Sequence, residues 1–196
     1  MSDPAIDRIL SILTFYQDHP IPGHPFVDIF PIFRDPEATE AVVAHLVDHI
    51  RSRHDLSDIT SIVCLEARGF YIAPMVAFRL GVACIPVRKQ GKLPGETVAI
   101  SYAKAYEPDV FEIKTDAFHG VPPGQVILID DLLAGGGSAT AAKKLVQKMG
   151  REVIECVFIF AIPWEAEKVK EAMEGTPTYA MIDLTSENIA KLPPGR

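Results

Sequence analysis

Cysteine is scarce in this 196-residue chain: Cys64, Cys84 and Cys156 are the full set. They lie far apart, each inside an apolar run, with no CxxC pair and no Cys/His ligand spacing. That rules out a disulfide scaffold or a zinc ribbon and predicts buried, reduced thiols. Positive charge is scarce too, with 19 Lys and Arg against 26 Asp and Glu and a net charge of −7. A general nucleic-acid or membrane-surface binder needs a basic footprint, so neither partner is expected. An anionic small ligand stays compatible, because a local patch or a metal ion can supply the opposite sign. Long apolar runs are missing. The most apolar segment, "CVFIFAIPW", is too short to span a bilayer and contains Pro163. The opening "MSDPAIDRIL" shows no basic region followed by an apolar stretch, so the expected location is cytoplasmic. There is no internal repeat, low-complexity tract or linker, which predicts one domain over 1–196.

What the chain does have is alternation of strand and helix. Short apolar runs at 59–65, 82–87, 126–129 and 153–162 are interspersed with helical patterns at 36–53, 70–80 and 138–149. Strands apolar on both faces are covered on both faces. The expectation is an α/β fold with a mostly parallel sheet covered by helices on both faces. Asp3-Pro4 and Asp35-Pro36 read as helix starts, and Gly81 as a helix stop. "TVAISY" and "DVFEIK" read as two more strands around a turn at Glu107-Pro108, and "TYAMIDL" as another. The proline- and aromatic-rich 18–33 is expected to be extended and irregular, within a small N-terminal hood over 1–35. Residues 89–106 are expected to form a flexible loop, and "KLPPGR" a frayed tail.

The chemistry concentrates in "VILIDDLLAGGGSATAAKKLV", 126–146. A buried strand carries Asp130 and Asp131 near its carboxyl end, where open parallel sheets bind ligands. Gly135, Gly136, Gly137 and Ser138 then turn into a helix. Glycines let backbone N–H groups approach an anion closely, and a helix N-terminus adds aligned donors. The turn suits a phosphate. The carboxylates suit ribose hydroxyls or Mg²⁺. A ribose 5-phosphate would satisfy both halves, and the alternative is a flexible turn with solvated aspartates. A P-loop would need Lys after its last glycine, where Ser138 stands. A dinucleotide fingerprint wants an acid closing the next strand, whereas Glu155 lies inside it. "EARGF", 66–70, puts Arg68 in the same position after another strand, suited to a bidentate phosphate contact or else to plain solvation. "VRKQGKLPGE" adds Arg88, Lys89 and Lys92, a polyphosphate site or a solubilising loop.

Together "VILIDDLLAGGGSA", "LEARGF", "IPVRKQGKLPGE" and "FVDIFPIFRDP" resemble the adenine phosphoribosyltransferases, members of the type I phosphoribosyltransferase family, from about Phe26 to Phe160. The resemblance implies transfer of a phosphoribosyl group from 5-phosphoribosyl pyrophosphate to adenine, giving AMP and pyrophosphate, with Mg²⁺ as cofactor and a homodimer as the assembly. It implies that Asp130 and Asp131 bind the ribose hydroxyls and a solvated metal, and that Ala134, Gly135, Gly136, Gly137 and Ser138 wrap the 5-phosphate. Arg68 would lie in a pyrophosphate loop that often carries a non-proline cis peptide. Arg88, Lys89 and Lys92 would contact pyrophosphate. Phe26 would stack on adenine and the Val27 backbone would read its edge. The implied catalytic set is Arg68, Lys89, Tyr106 and the position of Ala105.

The chain departs from the family at three places. Ala105 stands where the family usually has a Glu that manages a proton near purine N7. Its loss should slow chemistry by roughly 10²–10⁴-fold while sparing phosphoribosyl binding. Glu107, two positions on, is the alternative acid. The usual Ala-Thr-Gly-Gly turn reads Ala134-Gly135-Gly136-Gly137, one hydroxyl short. Val27 and 161–164 differ near the base. The second functional reading is therefore a catalytically weak phosphoribosyl-ligand binder with a regulatory role. Elsewhere, His45 and His49 share a helix face without an HExxH acid and are expected at the surface. His24 is a candidate contact near the base segment. Lys143, Lys144 and Lys148 are expected on a solvated face, Phe30 and Phe33 in hood packing, and Trp164 at a strand end.

Overall fold

A computed structural model of the chain describes residues 3–19, 22, 26–102 and 109–195. The Asp3 carboxylate accepts from the Ala5 amide at 2.9 Å and Pro4 takes the first turn, opening α1 (Pro4–Ile12). Strands β1 (Thr14–Tyr16) and β2 (Phe26–Asp28) pair antiparallel, and α2 (Phe30–Arg34) follows. The segment expected to be irregular thus contributes a strand and a short helix. Asp35 caps α3 (Pro36–Arg53) through the Glu37 and Ala38 amides. β3 (Ile59–Leu65) leads through a 3-10 turn (Arg68–Tyr71) into α4 (Ala73–Leu80), which ends on Gly81 at φ 72°. The helix expected over 70–80 is split because Pro74, which lacks an amide proton, sits in the first turn of a new helix. Then come β4 (Ala83–Lys89), β5 (Thr97–Tyr102), β6 (Asp109–Lys114), β7 (Gln125–Leu133) and α5 (Gly137–Lys148). The chain closes with β8 (Glu152–Ala161), a 3-10 turn (Pro163–Glu165), α6 (Ala166–Met173), β9 (Thr178–Asp183) and α7 (Ser186–Ala190).

Seven strands form one sheet in the order β5-β6-β4-β3-β7-β8-β9. The run from β4 to β9 is parallel, and β6 and β5 add an antiparallel edge. Side chains alternate across a strand, so both faces must be apolar when both are covered. Ile62, Cys64, Ile127 and Ile129 point into one core with α1, α3 and α4. Val63, Leu65, Val126 and Leu128 point into the other, under α5 and α6. This is the α/β architecture that the apolar runs predict. Within 89–106, Thr97–Tyr102 is strand β5, and 103–108 lie outside the described residues. The tail expected to fray lies against the hood. Phe15 N donates to Pro193 O at 2.9 Å, and Gly195 N to Phe15 O at 2.7 Å.

Two polar features differ from expectation. The histidines of α3 are not simply solvated, because α3 packs on β8 and β9 through a buried acid. His49 Nε2 lies 3.0 Å from Glu155 Oε1, His54 Nε2 lies 2.8 Å from Oε2, and Tyr179 stacks on His49. Pairing both oxygens is what allows Glu155 to be buried. Lys143 is also buried. It donates to Met173 O at 2.7 Å and Thr176 Oγ1 at 3.3 Å, satisfying the end of α6. Lys143→Ala should destabilise the protein by about 1–3 kcal/mol in urea unfolding, because it strands those acceptors. Lys144→Ala, at an exposed position one residue on, should stay within about 0.5 kcal/mol of wild type.

Candidate functional site

Parallel strands deliver their carboxyl ends to one edge of the sheet, and the candidate residues gather there. Glu66 to Arg68 follow β3, Lys89 ends β4, Asp130 to Ser138 run from β7 into α5, and Trp164 follows β8. β7 continues past the acidic pair to Leu133, so the aspartates sit on the strand itself. Asp131 is buried, with Arg68 Nε 3.0 Å from its Oδ2. That approach is an ion pair without hydrogen-bond alignment, so Oδ2 is buried with no hydrogen-bond partner among the described residues. Asp130 Oδ1 accepts from the Asp131 amide at 2.9 Å. Burial, then the neighbouring Asp131 charge, push the Asp130 carboxyl well above its usual 3.8. Burial raises Asp131 as well, and the Arg68 guanidinium works against that rise.

Gly69 explains the glycine of "EARGF". A Cβ there would lie 3.0 Å from Asp130 Oδ1 and 3.1 Å from Ile129 O, so a side chain would push this turn off β7 by a few tenths of an ångström. The preceding Glu66–Ala67 peptide bond is cis. Gly136 caps α5 at φ 76°, a conformation that favours glycine. The amides of the first turn of α5 then point into a cavity of about 340 Å³. Asp130, Ala134 to Ser138, Tyr102 and Lys168 line it. A second hollow, lined by Glu66, Ala67, Arg68, Lys89, Asp130, Asp131 and Ser138, adjoins it. A third is an apolar slot under the hood, bounded by Phe15, Val27, Ile29, Phe160 and Trp164, with Arg68 and Asp131 at one wall. Asp130 is shared by the first two hollows, Arg68 and Asp131 by the last two, and Leu132 by all three. They form one crevice with an anion end, an acidic middle and an apolar end.

The predicted residues divide into groups. Asp130, Asp131, Ala134, Gly135, Gly136, Gly137, Ser138, Arg68, Lys89 and Val27 come together on the crevice. Phe26 lies beside it, its ring 5.5 Å from the Arg68 guanidinium carbon. Arg88 is engaged elsewhere: its Nε donates to Glu66 Oε2 at 3.1 Å and its Nη1 to Lys92 O at 3.1 Å. The Lys92 side chain is exposed on a turn anchored by Glu112, which accepts the Lys92 and Leu93 amides at 3.0 Å. Ala105, Tyr106, Glu107 and His24 lie outside the described residues. Sequence reasoning missed Tyr102, whose hydroxyl lies 3.4 Å from Ser138 Oγ, and Lys168. It also missed that Trp164, 60% exposed, walls the apolar slot. Tyr102 could have been found as the last residue of a predicted strand, whereas no local pattern marks Lys168.

A cleft that joins a glycine turn at a helix N-terminus to paired carboxylates at the end of a parallel sheet has the chemistry to take a sugar phosphate. The phosphoribosyl transferase domain family matches over residues 33–182, and the chain belongs to that family. Its relatives within the family include adenine phosphoribosyltransferases. The protein of that name from Yarrowia lipolytica is 47% identical over 148 residues, covering 75% of this chain and 80% of that one. The one from Mus musculus is 38% identical over 183 residues, covering 93% and 98%. Among solved structures, the Saccharomyces cerevisiae adenine phosphoribosyltransferase, complexed with an imino-altritol bisphosphate and adenine, aligns with a TM-score of 0.79. It is 33% identical and covers 91% of this chain and 98% of that one. The Giardia lamblia enzyme complexed with 9-deazaadenine aligns with a TM-score of 0.82 at 28% identity, covering 94% and 99%.

The acidic pair should cost stability when no ligand is bound. A carboxyl whose folded pKa is raised loses stabilisation as pH climbs from the unfolded value, 3.8, through the folded one. Asp130→Asn removes that charge and keeps an oxygen for the Asp131 amide. Its Tm should exceed wild type at pH 7.5 without ligand, with the gain shrinking toward pH 4. A thermal scan showing the variant less stable at pH 7.5 would contradict this.

Proposed function

We propose that this protein transfers the 5-phosphoribosyl group of 5-phosphoribosyl pyrophosphate to adenine, releasing pyrophosphate and forming AMP in purine salvage. The observation that carries the reading is the buried acidic pair, with Asp131 Oδ2 lacking a hydrogen bond among the described residues, set beside the glycine turn at the N-terminus of α5. The two carboxylates accept the ribose 2- and 3-hydroxyls, which supply the donor that Oδ2 lacks. The amides of 135–138 and the Ser138 hydroxyl hold the 5-phosphate. Arg68 and Lys89 face the pyrophosphate, and Arg88 acts by fixing Glu66 and the Lys92 carbonyl rather than by touching substrate. The apolar slot takes the flat base, with Phe26 and Trp164 at its mouth and the Val27 backbone on its edge.

Asp130 and Asp131 also fit Mg²⁺. No group of three or more His, Cys, Asp or Glu among the described residues can hold a metal, and Mg²⁺ characteristically needs only one or two carboxylates plus substrate oxygens and water. When bound, Mg²⁺ neutralises charge on the pyrophosphate. The bond from the ribose anomeric carbon to pyrophosphate breaks as adenine N9 bonds to that carbon, and the proton on N9 is released. No protein nucleophile is required. The chain positions two substrates, takes up leaving-group charge through Arg68 and Lys89, and excludes water.

A homodimer fits the surface. Phe30, Tyr71 and Phe78 are exposed, and Tyr71 belongs to the 3-10 turn that begins at Arg68, so a second copy there would brace the pyrophosphate loop. Phe78→Glu should shift sedimentation toward monomer; an unchanged profile would place the interface elsewhere. No helix among the described residues is long and apolar enough to cross a membrane. We place the protein in the cytoplasm.

Nucleotide formation with Mg²⁺, the phosphoribosyl donor and a panel of purines tests the function. Adenine should be the preferred base, and Ala105→Glu should raise turnover by roughly 10²–10⁴-fold with little change in KM for the donor. Preference for guanine or hypoxanthine would overturn the base assignment. An unchanged rate would refute the account of Ala105.

A further inference from the structure

The glycine at 135 has no backbone reason. Gly136 adopts a positive φ and Gly135 does not, so an ordinary side chain is conformationally allowed there. The space is taken instead. A Cβ at 135 would lie 3.1 Å from Lys168 Nζ and 3.3 Å from its Cε. Lys168 comes from α6, a separate element, and its side chain reaches across the turn into the cavity that the turn lines. Glu165 Oε2 holds the ammonium at 3.1 Å and lies 3.5 Å from the same Cβ position. This corner is therefore a cation on a short acidic tether, exposed enough for the tether to be weak.

We propose that Lys168 is a 5-phosphate-binding residue, and that Gly135 is glycine because it makes room for the Lys168 ammonium. A doubly charged phosphate on the turn outcompetes one screened carboxylate, so Nζ leaves Glu165 and donates to a phosphate oxygen. A charge-assisted bond from α6 thereby replaces the hydroxyl that the turn lacks at 135. The two positions act as one unit: a side chain at 135 crowds the ammonium away from the turn, and loss of the ammonium leaves the turn without that cation. The inference rests on the crevice being a phosphoribosyl site.

Titration calorimetry with ribose 5-phosphate tests it directly. Lys168→Ala should weaken binding about tenfold, as expected for losing one charged donor. Gly135→Val, which crowds the ammonium without adding a hydroxyl, should also weaken it, and adding Lys168→Ala to Gly135→Val should change binding by less than about twofold, because the ammonium has already been displaced. Lys168 is 69% exposed, so its removal leaves the fold intact. Full affinity in Lys168→Ala, or strictly multiplicative losses in the double variant, would overturn the proposal while leaving the phosphoribosyl reading standing. Wild-type protein that takes up no ribose 5-phosphate would overturn both.

Discussion

Two adjacent carboxylates held out of water on a central strand are the constraint that the rest of the site serves. Burying such charge is unfavourable unless it is paired or hydrogen-bonded. Here the compensation is partial. Arg68 stands against Asp131, the Asp131 amide serves Asp130, and one buried oxygen has no hydrogen bond among the described residues. β7 lies in mid-sheet between β3 and β8, with an apolar core on either face, so the pair cannot relax by moving the strand. The unmet demand is for donors. On the proposed reading a sugar diol and metal-bound water would supply them, which would link the strain of the empty site to its use when filled.

The surrounding parts follow from that demand. Gly69 allows the Arg68 turn to lie against the aspartates. Glu66 ties that turn to the end of β4 through Arg88 and the Lys89 amide, so two strand ends move together. Gly136 starts α5 so that its amides face the space beside the acids. The hood closes the apolar end, and the C-terminal tail braces the hood against Phe15. Charge of both signs is thus confined to neighbouring corners of one cleft in a protein of net charge −7.

Much of this was readable in the residues. Strands buried on both faces leave runs such as Ile59–Leu65 with little polar interruption, and helix caps such as Asp35-Pro36 are local chemistry, so strands, caps and the parallel sheet were legible. The acidic pair and its glycine turn were legible because both are contiguous in sequence. What escaped depends on contacts between distant segments. Lys143 looks solvated until α6 lays its carbonyls over it. His49 and His54 find Glu155 about a hundred residues away. Arg88 reads as a free cation, but Glu66 claims it. Lys168 reaches the phosphate turn only because α6 packs beside it, and Trp164 walls the slot only because β8 ends there.

The central claim is that one ligand spans the acidic pair and the glycine turn at once. A crystal structure of the protein with ribose 5-phosphate and Mg²⁺ measures this directly. The account predicts the sugar hydroxyls within hydrogen-bond distance of Asp130 and Asp131 and the phosphate on the amides of 135–138. Sugar electron density elsewhere, with both aspartates turned away from it, would contradict the account.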